Sequence, residues 1–342
     1  MQALLISPLP HRGRGQGEGA TLMPTIGVVG LGLLGHAVAA RLLKAGHPVI
    51  GFDVLPEKVA ALQALGGQAA ASAAAVAQGS EAVCTLLPSL ATAESAIVGR
   101  HGVLAGAHTG LSVVQMSTIS PTLTEKLARS VTARHVGFLD CPVSGTSSMV
   151  ERGDGIFFVG GERDLYERWR PVLESVLPRA VLVGRVGQAM TLKLVANLLV
   201  ALHSAAAAEA LTLARKAGLD LDIALEVLNS SAATSSMLKV RGPMILRGDF
   251  PAQMKLDLFM KDIHLMQEAA TAVGAPLPFT NLAERLYAEA QAAGHGGEDL
   301  AVVATALDRS TARRPKPRRA KAGSRRTGEG AAKKSRRRPR AK

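Results

Sequence analysis

The run Val28-Val29-Gly30-Leu31-Gly32-Leu33-Leu34-Gly35 most narrows what this chain can fold into, because it closes a β-branched, strand-like stretch (Thr25–Gly30) and opens an apolar helical pattern over 33–45. Glycines at 30, 32 and 35 each have a physical reason in a strand-turn-helix. Gly30 permits the tight turn, Gly32 lets a pyrophosphate approach the backbone, and Gly35 lets the helix pack on the sheet. The amides of Leu31, Leu33 and Leu34 then surround a helix N-terminus that favours phosphate. Asp53 ends the next apolar run, Pro48–Asp53, twenty-one residues after Gly32, where an acid accepts hydrogen bonds from ribose hydroxyls. That acid repels a 2′-phosphate, and no Arg follows it in Val54-Leu55-Pro56, so NAD is favoured over NADP. Lys58 is the nearby cation that could still reach a phosphate.

Further runs at Ala82–Leu86, Ser112–Met116, Gly137–Cys141, Ile156–Val159 and Ala180–Val183 alternate with Ala-rich helical stretches, the rhythm of a parallel sheet with crossover helices. Beyond Gly187 the period changes to apolar residues three and four apart, and Gln188 to Ala217 reads as one long helix able to span a domain or subunit interface. The expected architecture is an α/β Rossmann domain over residues 23–186 followed by an all-α domain over residues 187–308. Residues 1–22 mix Pro, Gly and Arg without periodicity and read as a disordered extension, with Met23 as the expected start of the functional chain. Residues 309–342 read as a disordered basic tail.

The formal charge of +13 sits in that tail, which holds sixteen of the forty Lys and Arg and one acid, Glu329. Twenty-four bases against twenty-six acids remain elsewhere, so the folded part is slightly acidic. A solvated tail fits this distribution; nonspecific, salt-dependent nucleic-acid contact is the alternative, since the tail lacks aromatic residues for base stacking. Cys84 and Cys141 are distant in sequence and apolar in setting, which predicts a reducing, cytoplasmic compartment and no disulfide framework. The nine histidines lack metal-ligand spacing, so no metal site is expected. The longest apolar stretch, Leu194 to Ala208, is interrupted by Asn197 and His203 and falls short of a membrane span.

Two segments carry candidate chemistry. Leu139-Asp140-Cys141-Pro142-Val143-Ser144-Gly145-Thr146 ends a strand in a small polar loop where amides and a hydroxyl can grip a carboxylate. Gly187-Gln188-Ala189-Met190-Thr191-Leu192-Lys193-Leu194-Val195-Ala196-Asn197 puts Lys193 and Asn197 on one helical face amid apolar neighbours. Alone, such a lysine more often snorkels from an apolar stripe. The order of glycine motif, Asp-Cys-Pro-Val-Ser-Gly loop and Gly-x5-Lys-x3-Asn helix resembles the β-hydroxyacid dehydrogenases, from Thr25 to about Leu307. Leu87-Pro88, Ser117-Thr118 with Pro121, Lys261-Asp262, and Gly294-His295-Gly296 with Asp299 extend the resemblance.

The resemblance implies oxidation of a small 3-hydroxy acid, as in 3-hydroxyisobutyrate dehydrogenases, with tartronate semialdehyde reductases and threonate or sulfo-sugar enzymes as neighbours. Lys193 becomes the acid/base, Ser144, Gly145 and Thr146 the carboxylate-binding loop, and Asn197 the orienting amide. Leu87, Pro88, Thr92 and Thr118 line the cofactor, and Lys261 sits near the nicotinamide. A homodimer or homotetramer with interleaved helical domains is expected. Thr146 departs from the usual Gly and Gln115 from a frequent acid, and 147–152 lack the family's small residues, so the substrate tail is expected to differ. Ala196 stands where 6-phosphogluconate dehydrogenases carry His, and the presence of Lys193 argues against an imine reductase or a noncatalytic relative tethered to nucleic acid. His264, three residues from Lys261, ranks second as a base.

Overall fold

The computed structural model describes residues 23–312; the extension over 1–22 and the tail beyond residue 312 lie outside the described residues. In chain order the first part comprises β1 (Ile26–Val29), α1 (Leu33–Lys44), β2 (Val49–Phe52), α2 (Pro56–Ala64), β3 (Gln68–Ala69), α3 (Ala73–Gln78), β4 (Ala82–Thr85), α4 (Leu90–Val98), β5 (Ser112–Gln115) and α5 (Pro121–Thr132). It continues with β6 (Gly137–Asp140), β7 (Val143–Ser144), α6 (Ser147–Glu151), β8 (Ile156–Gly160), α7 (Arg163–Val176) and β9 (Ala180–Gly184). Helices follow: α8 (Gln188–Lys216), α9 (Leu221–Ser230), α10 (Ser236–Arg247), α11 (Leu256–Val273), α12 (Pro278–Ala290) and α13 (Val303–Ala312). The last helix runs into the first four residues of the stretch read as tail.

Strands β3-β2-β1-β4-β5-β6 are parallel and in that spatial order, so the strand order reverses between β1 and β4 and opens a crevice above their C-terminal ends. The strands are apolar on both sides: one face packs with Leu42, Trp169 and Leu173, the other with Val76, Ile97 and Leu127. The purely parallel sheet expected from the alternation does not hold throughout. β8 runs antiparallel to β6 and to β7. Between β6 and β8 the chain forms the two-residue β7 and the five-residue α6, and β7 pairs with β8, so the backbone turns back instead of crossing over. Parallel pairing resumes at β9, after the full-length crossover α7.

The helices after β9 enclose their own core around α8, with Phe259, Ile263, Tyr287 and Val302 fully buried. Leu90 packs against both this core and the sheet. Among the described residues α8 is the one helix long and apolar enough to cross a membrane. Its buried face nevertheless carries Lys193, Asn197 and Ser204, and α10, α11 and α12 pack along it, the pattern of a core helix. Gly187, at φ 89°, starts it in a left-handed conformation suited to glycine.

Candidate active site

The glycine loop lies at the crevice where strand order reverses. A Cβ on Gly30, which sits at φ 91°, would collide with the Leu86 carbonyl, and one on Gly35 would collide with the Gly30 carbonyl. The protein therefore needs both. At Gly32, the N-cap of α1, a Cβ would meet nothing within 4 Å, so the fold itself makes no demand for glycine there. The open space over an uncapped helix N-terminus, with no acid in its first turn, fits a pyrophosphate. Leu31 turns inward, 1% exposed, and its amide donates to Asp53 Oδ2 at 2.7 Å, so it stabilises the loop, whereas Leu33 projects outward. Asp53 Oδ1 also accepts from the Leu55 amide at 3.0 Å. These bonds hold the carboxylate at the end of β2 with its remaining lone pairs outward, as a ribose acceptor requires.

The neighbouring strand ends are cross-tied. Ser117 Oγ accepts from the Leu87 amide at 2.9 Å and donates to the Thr85 carbonyl at 3.2 Å. Gln115, fully buried, returns to Ser117 through its side-chain amide, accepting from the backbone N–H and donating to the carbonyl. The bridge is neutral, so Gln115 ties the strand end without burying a charge. Thr92 forms a capping box with Ser89 at the start of α4, so its hydroxyl already has partners.

Lys193 and Asn197 both lie on the buried face of α8, 7% and 4% exposed. Asn197 Nδ2 donates to Asp262 Oδ2 at 2.8 Å. Asp262 Oδ1 lies 3.1 Å from Lys261 Nζ without hydrogen-bond alignment, and Lys261 Nζ donates to the Thr118 carbonyl at 2.5 Å. The chain Asn197–Asp262–Lys261–Thr118 thus joins the helical half to the loop after β5. The Lys193 amine has no hydrogen-bond partner among the described residues. Burial lowers its pKa from 10.5 to about 8, with Asp262 raising it and Lys261 lowering it further. A half-neutral amine at moderately alkaline pH can take and return a proton. His264 is exposed, away from the face that carries Asp262.

Ser144 is in β7, which packs against α8, and is half-buried. A Cβ on Gly145 would make only ordinary contacts, the nearest at 3.6 Å, so this glycine too is not demanded by the fold. Thr146 caps α6, accepting from the Met149 amide at 3.3 Å and meeting Ser148 Oγ at 3.0 Å, so its hydroxyl is committed to the loop.

Sequence reasoning gave no role to three buried groups. Asp140 caps α8, accepting from the amides of Gly187 and Met190. Asp262 anchors Asn197. Asp299 bonds Arg241 Nε at 2.9 Å and accepts from the Met254 and Ala301 amides, a structural node among the helices. For all three a buried carboxylate is the signal, and burial is invisible without the fold. Burial pushes the Cys84 thiol up to about 12 and Cys141 well above its ordinary range, which leaves neither as a nucleophile. A groove of about 630 Å³ lined by Glu125, Arg129, Phe138, Glu162, Leu165 and Arg185 includes none of the site residues.

Comparison with known proteins places both halves of the chain in one family. Residues 25–184 match the NAD binding domain of 6-phosphogluconate dehydrogenase, and residues 187–307 match the family described as NAD-binding of NADP-dependent 3-hydroxyisobutyrate dehydrogenase. The 2-(hydroxymethyl)glutarate dehydrogenase of Eubacterium barkeri is 34% identical over 287 residues, covering 84% of this chain and 95% of that protein. The L-threonate dehydrogenase of Cupriavidus necator is 33% identical, covering 81% and 94%. The crystal structure of a 3-hydroxyisobutyrate dehydrogenase from Salmonella typhimurium superposes with a TM-score of 0.76 at 33% identity, covering 82% and 99%. With both halves matched and relatives of this identity covered almost end to end, the chain belongs to the β-hydroxyacid dehydrogenase family of nicotinamide-dependent oxidoreductases acting on hydroxyl groups.

Proposed function

We propose that the protein oxidises a small 3-hydroxy acid to its semialdehyde or oxo acid, or runs the reverse reduction, with NAD preferred over NADP. The observation that carries this reading is the buried, unbonded Lys193 amine with its pKa near 8, one helical turn from the Asn197–Asp262 pair. A bound nicotinamide would supply the acceptor for a hydride from the carbinol carbon. Lys193 Nζ takes the hydroxyl proton as the hydride leaves and returns it in the reverse direction. The Asn197 amide, fixed by Asp262, orients the hydroxyl. Ser144 Oγ and the Gly145 backbone hold the substrate carboxylate, and the Thr146 methyl narrows the space for its tail.

Gly30, Gly32, Gly35 and Asp53 would hold the dinucleotide, with Leu33, Leu34, Leu87, Pro88, Thr92, Thr118 and Lys261 around it. The preference for NAD is supported by the Asp53 carboxylate, which a 2′-phosphate would meet with like charge. The relatives are named for 2-(hydroxymethyl)glutarate, L-threonate and 3-hydroxyisobutyrate, which supports a hydroxy acid and leaves several tails to test.

The reading extends to organisation: a cofactor unit over 23–186, a helical unit over 187–308, a cytoplasmic location, and a homodimer or homotetramer. Self-association is supported by Leu192, Val195 and Leu199, exposed along α8, and by Ile223 and Val227 on α9. Sedimentation analysis tests it.

Initial rates of NADH formation with 3-hydroxyisobutyrate, glycerate, threonate, 3-hydroxypropionate and 2-(hydroxymethyl)glutarate, with NADP in parallel, test the reaction. Turnover of at least one acid is expected, and Lys193→Ala should lose it while still binding NAD. Normal turnover in Lys193→Ala would remove the assignment.

A further inference from the structure

Gly187 begins α8 without a side chain to cap it, yet the helix is 29 residues long and carries the reacting lysine two turns in. The missing cap comes from across the sheet. Asp140, fully buried at the end of β6, places Oδ2 2.9 Å from the Gly187 amide and 3.0 Å from the Met190 amide. Met190 is one turn before Lys193. In the other direction, Asp140 is four residues before Ser144, joined by Cys141, Pro142 and the start of β7. One carboxylate therefore ties the helix that carries the base to the loop that faces the substrate.

We propose that Asp140 is a positioning residue for the dehydrogenase reaction, setting the pitch and depth of α8 so that Lys193 faces the Ser144–Gly145 loop. This rests on the function proposed above. Capping alone would be met by any acceptor, but Asp140 does it at a cost. Its Oδ1 has no hydrogen-bond partner, no cation pairs with it among the described residues, and burial pushes its pKa up to about 7 against the two amide bonds that lower it. Residue 187 itself cannot supply the cap, because at φ 89° a side chain there is strained and its Cβ would press on Glu125. The acceptor comes from outside the helix, and the one used connects α8 to β6.

The test compares Asp140→Asn, which keeps an acceptor, with Asp140→Ala, which has none. In both, NAD affinity should stay within about twofold, because the glycine loop is remote in the sheet. kcat should fall roughly ten- to hundredfold in Ala and less in Asn, and the deuterium isotope effect on kcat should rise as the misaligned transfer step becomes limiting. If Asp140→Ala fails to fold, Asn decides: a fall of at least about threefold with a raised isotope effect supports the proposal. Wild-type kcat and isotope effect with only a lowered Tm overturn it, since capping would then be structural. Were the wild-type enzyme to turn over no hydroxy acid, the functional reading would fail separately. The positioning claim would then be decided by the Lys193 Nζ titration followed by NMR of nitrogen-15-labelled lysine. The proposal expects that titration to move toward ordinary lysine in both variants, and an unchanged titration overturns it.

Discussion

Asn197 Nδ2 donates to Asp262 Oδ2 across 2.8 Å, joining residues 65 positions apart on α8 and α11. The same carboxylate raises the pKa of Lys193 while the neighbouring Lys261 lowers it, so two adjacent residues on α11 pull one amine in opposite directions. Lys193 must be neutral to accept a proton, and kcat/KM for oxidation should rise with pH through about 8. Asp262→Asn keeps an oxygen for Asn197 and removes the charge, so the rising limb should move to lower pH by about one unit. Lys261→Met should move it the other way, by less, because Lys261 is partly open to solvent. Rate profiles between about pH 6 and pH 10 check both; shifts of the same sign would break the electrostatic account.

Lys193 also sets a stability dependence. Its folded pKa of about 8 lies below the ordinary 10.5, so between these values the unfolded chain binds the proton more tightly. Stability should therefore rise with pH across that window, and the protein carries a penalty below it. Lys193→Met removes the penalty. Its Tm at neutral pH should exceed that of the wild type, by roughly 2–4 °C for each kcal/mol recovered, while turnover disappears. Calorimetry at neutral and alkaline pH checks the sign, and a variant less stable than wild type at neutral pH would contradict it.

The glycines of the cofactor loop should separate under substitution. Gly32→Ala meets open space at φ −61° and should leave Tm within about 2 °C while weakening NAD binding by roughly tenfold or more. Gly35→Ala drives a methyl into the Gly30 carbonyl and should cost about 1–3 kcal/mol of stability. Thermal melts paired with fluorescence titration of NADH distinguish the two; equal melting of both variants would show that the steric assignment is mistaken.

Among the helices, Asp299→Ala would strand Arg241, 3% exposed, and leave the Met254 and Ala301 amides without their acceptor. A loss of about 3–5 kcal/mol is expected from an orphaned buried charge. Arg241→Met paired with Asp299→Asn should lose less. Chemical denaturation of the three proteins measures this.

What could be read without the fold follows from what is local. Gly30, Gly35 and Asp53 stand at spacings set by one strand, one turn and one helix, and Lys193 and Asn197 are four apart on one face, so counting finds them. Asp140, Asp262 and Asp299 act on partners 45 to 65 positions away, and although all three fall in the motifs quoted for the resemblance, nothing near them in the chain names those partners. β3 and β7 escaped notice because two residues are too short to show a period. The hydroxyls of Thr92 and Thr146 have helix-capping partners that no substrate-centred reading would supply. The antiparallel turn at β8 comes with the short β7 pairing back onto it, which alternation alone does not reveal.

That turn has a consequence for how such a protein can change. Ser144 and Ile156 are opposite one another on a single rung of the β7–β8 ladder, so residues 145–155 leave the sheet and return to it at the same place. The segment begins and ends on one rung, so a change in its length need not alter the register of other strands. But α6 packs on α1 and Val150 is fully buried, so a replacement has to keep that apolar contact. On the function proposed above this segment carries Gly145 and Thr146, and exchanging it between relatives while keeping the buried Val150 is the direct way to test whether it moves a preference from one hydroxy acid to another.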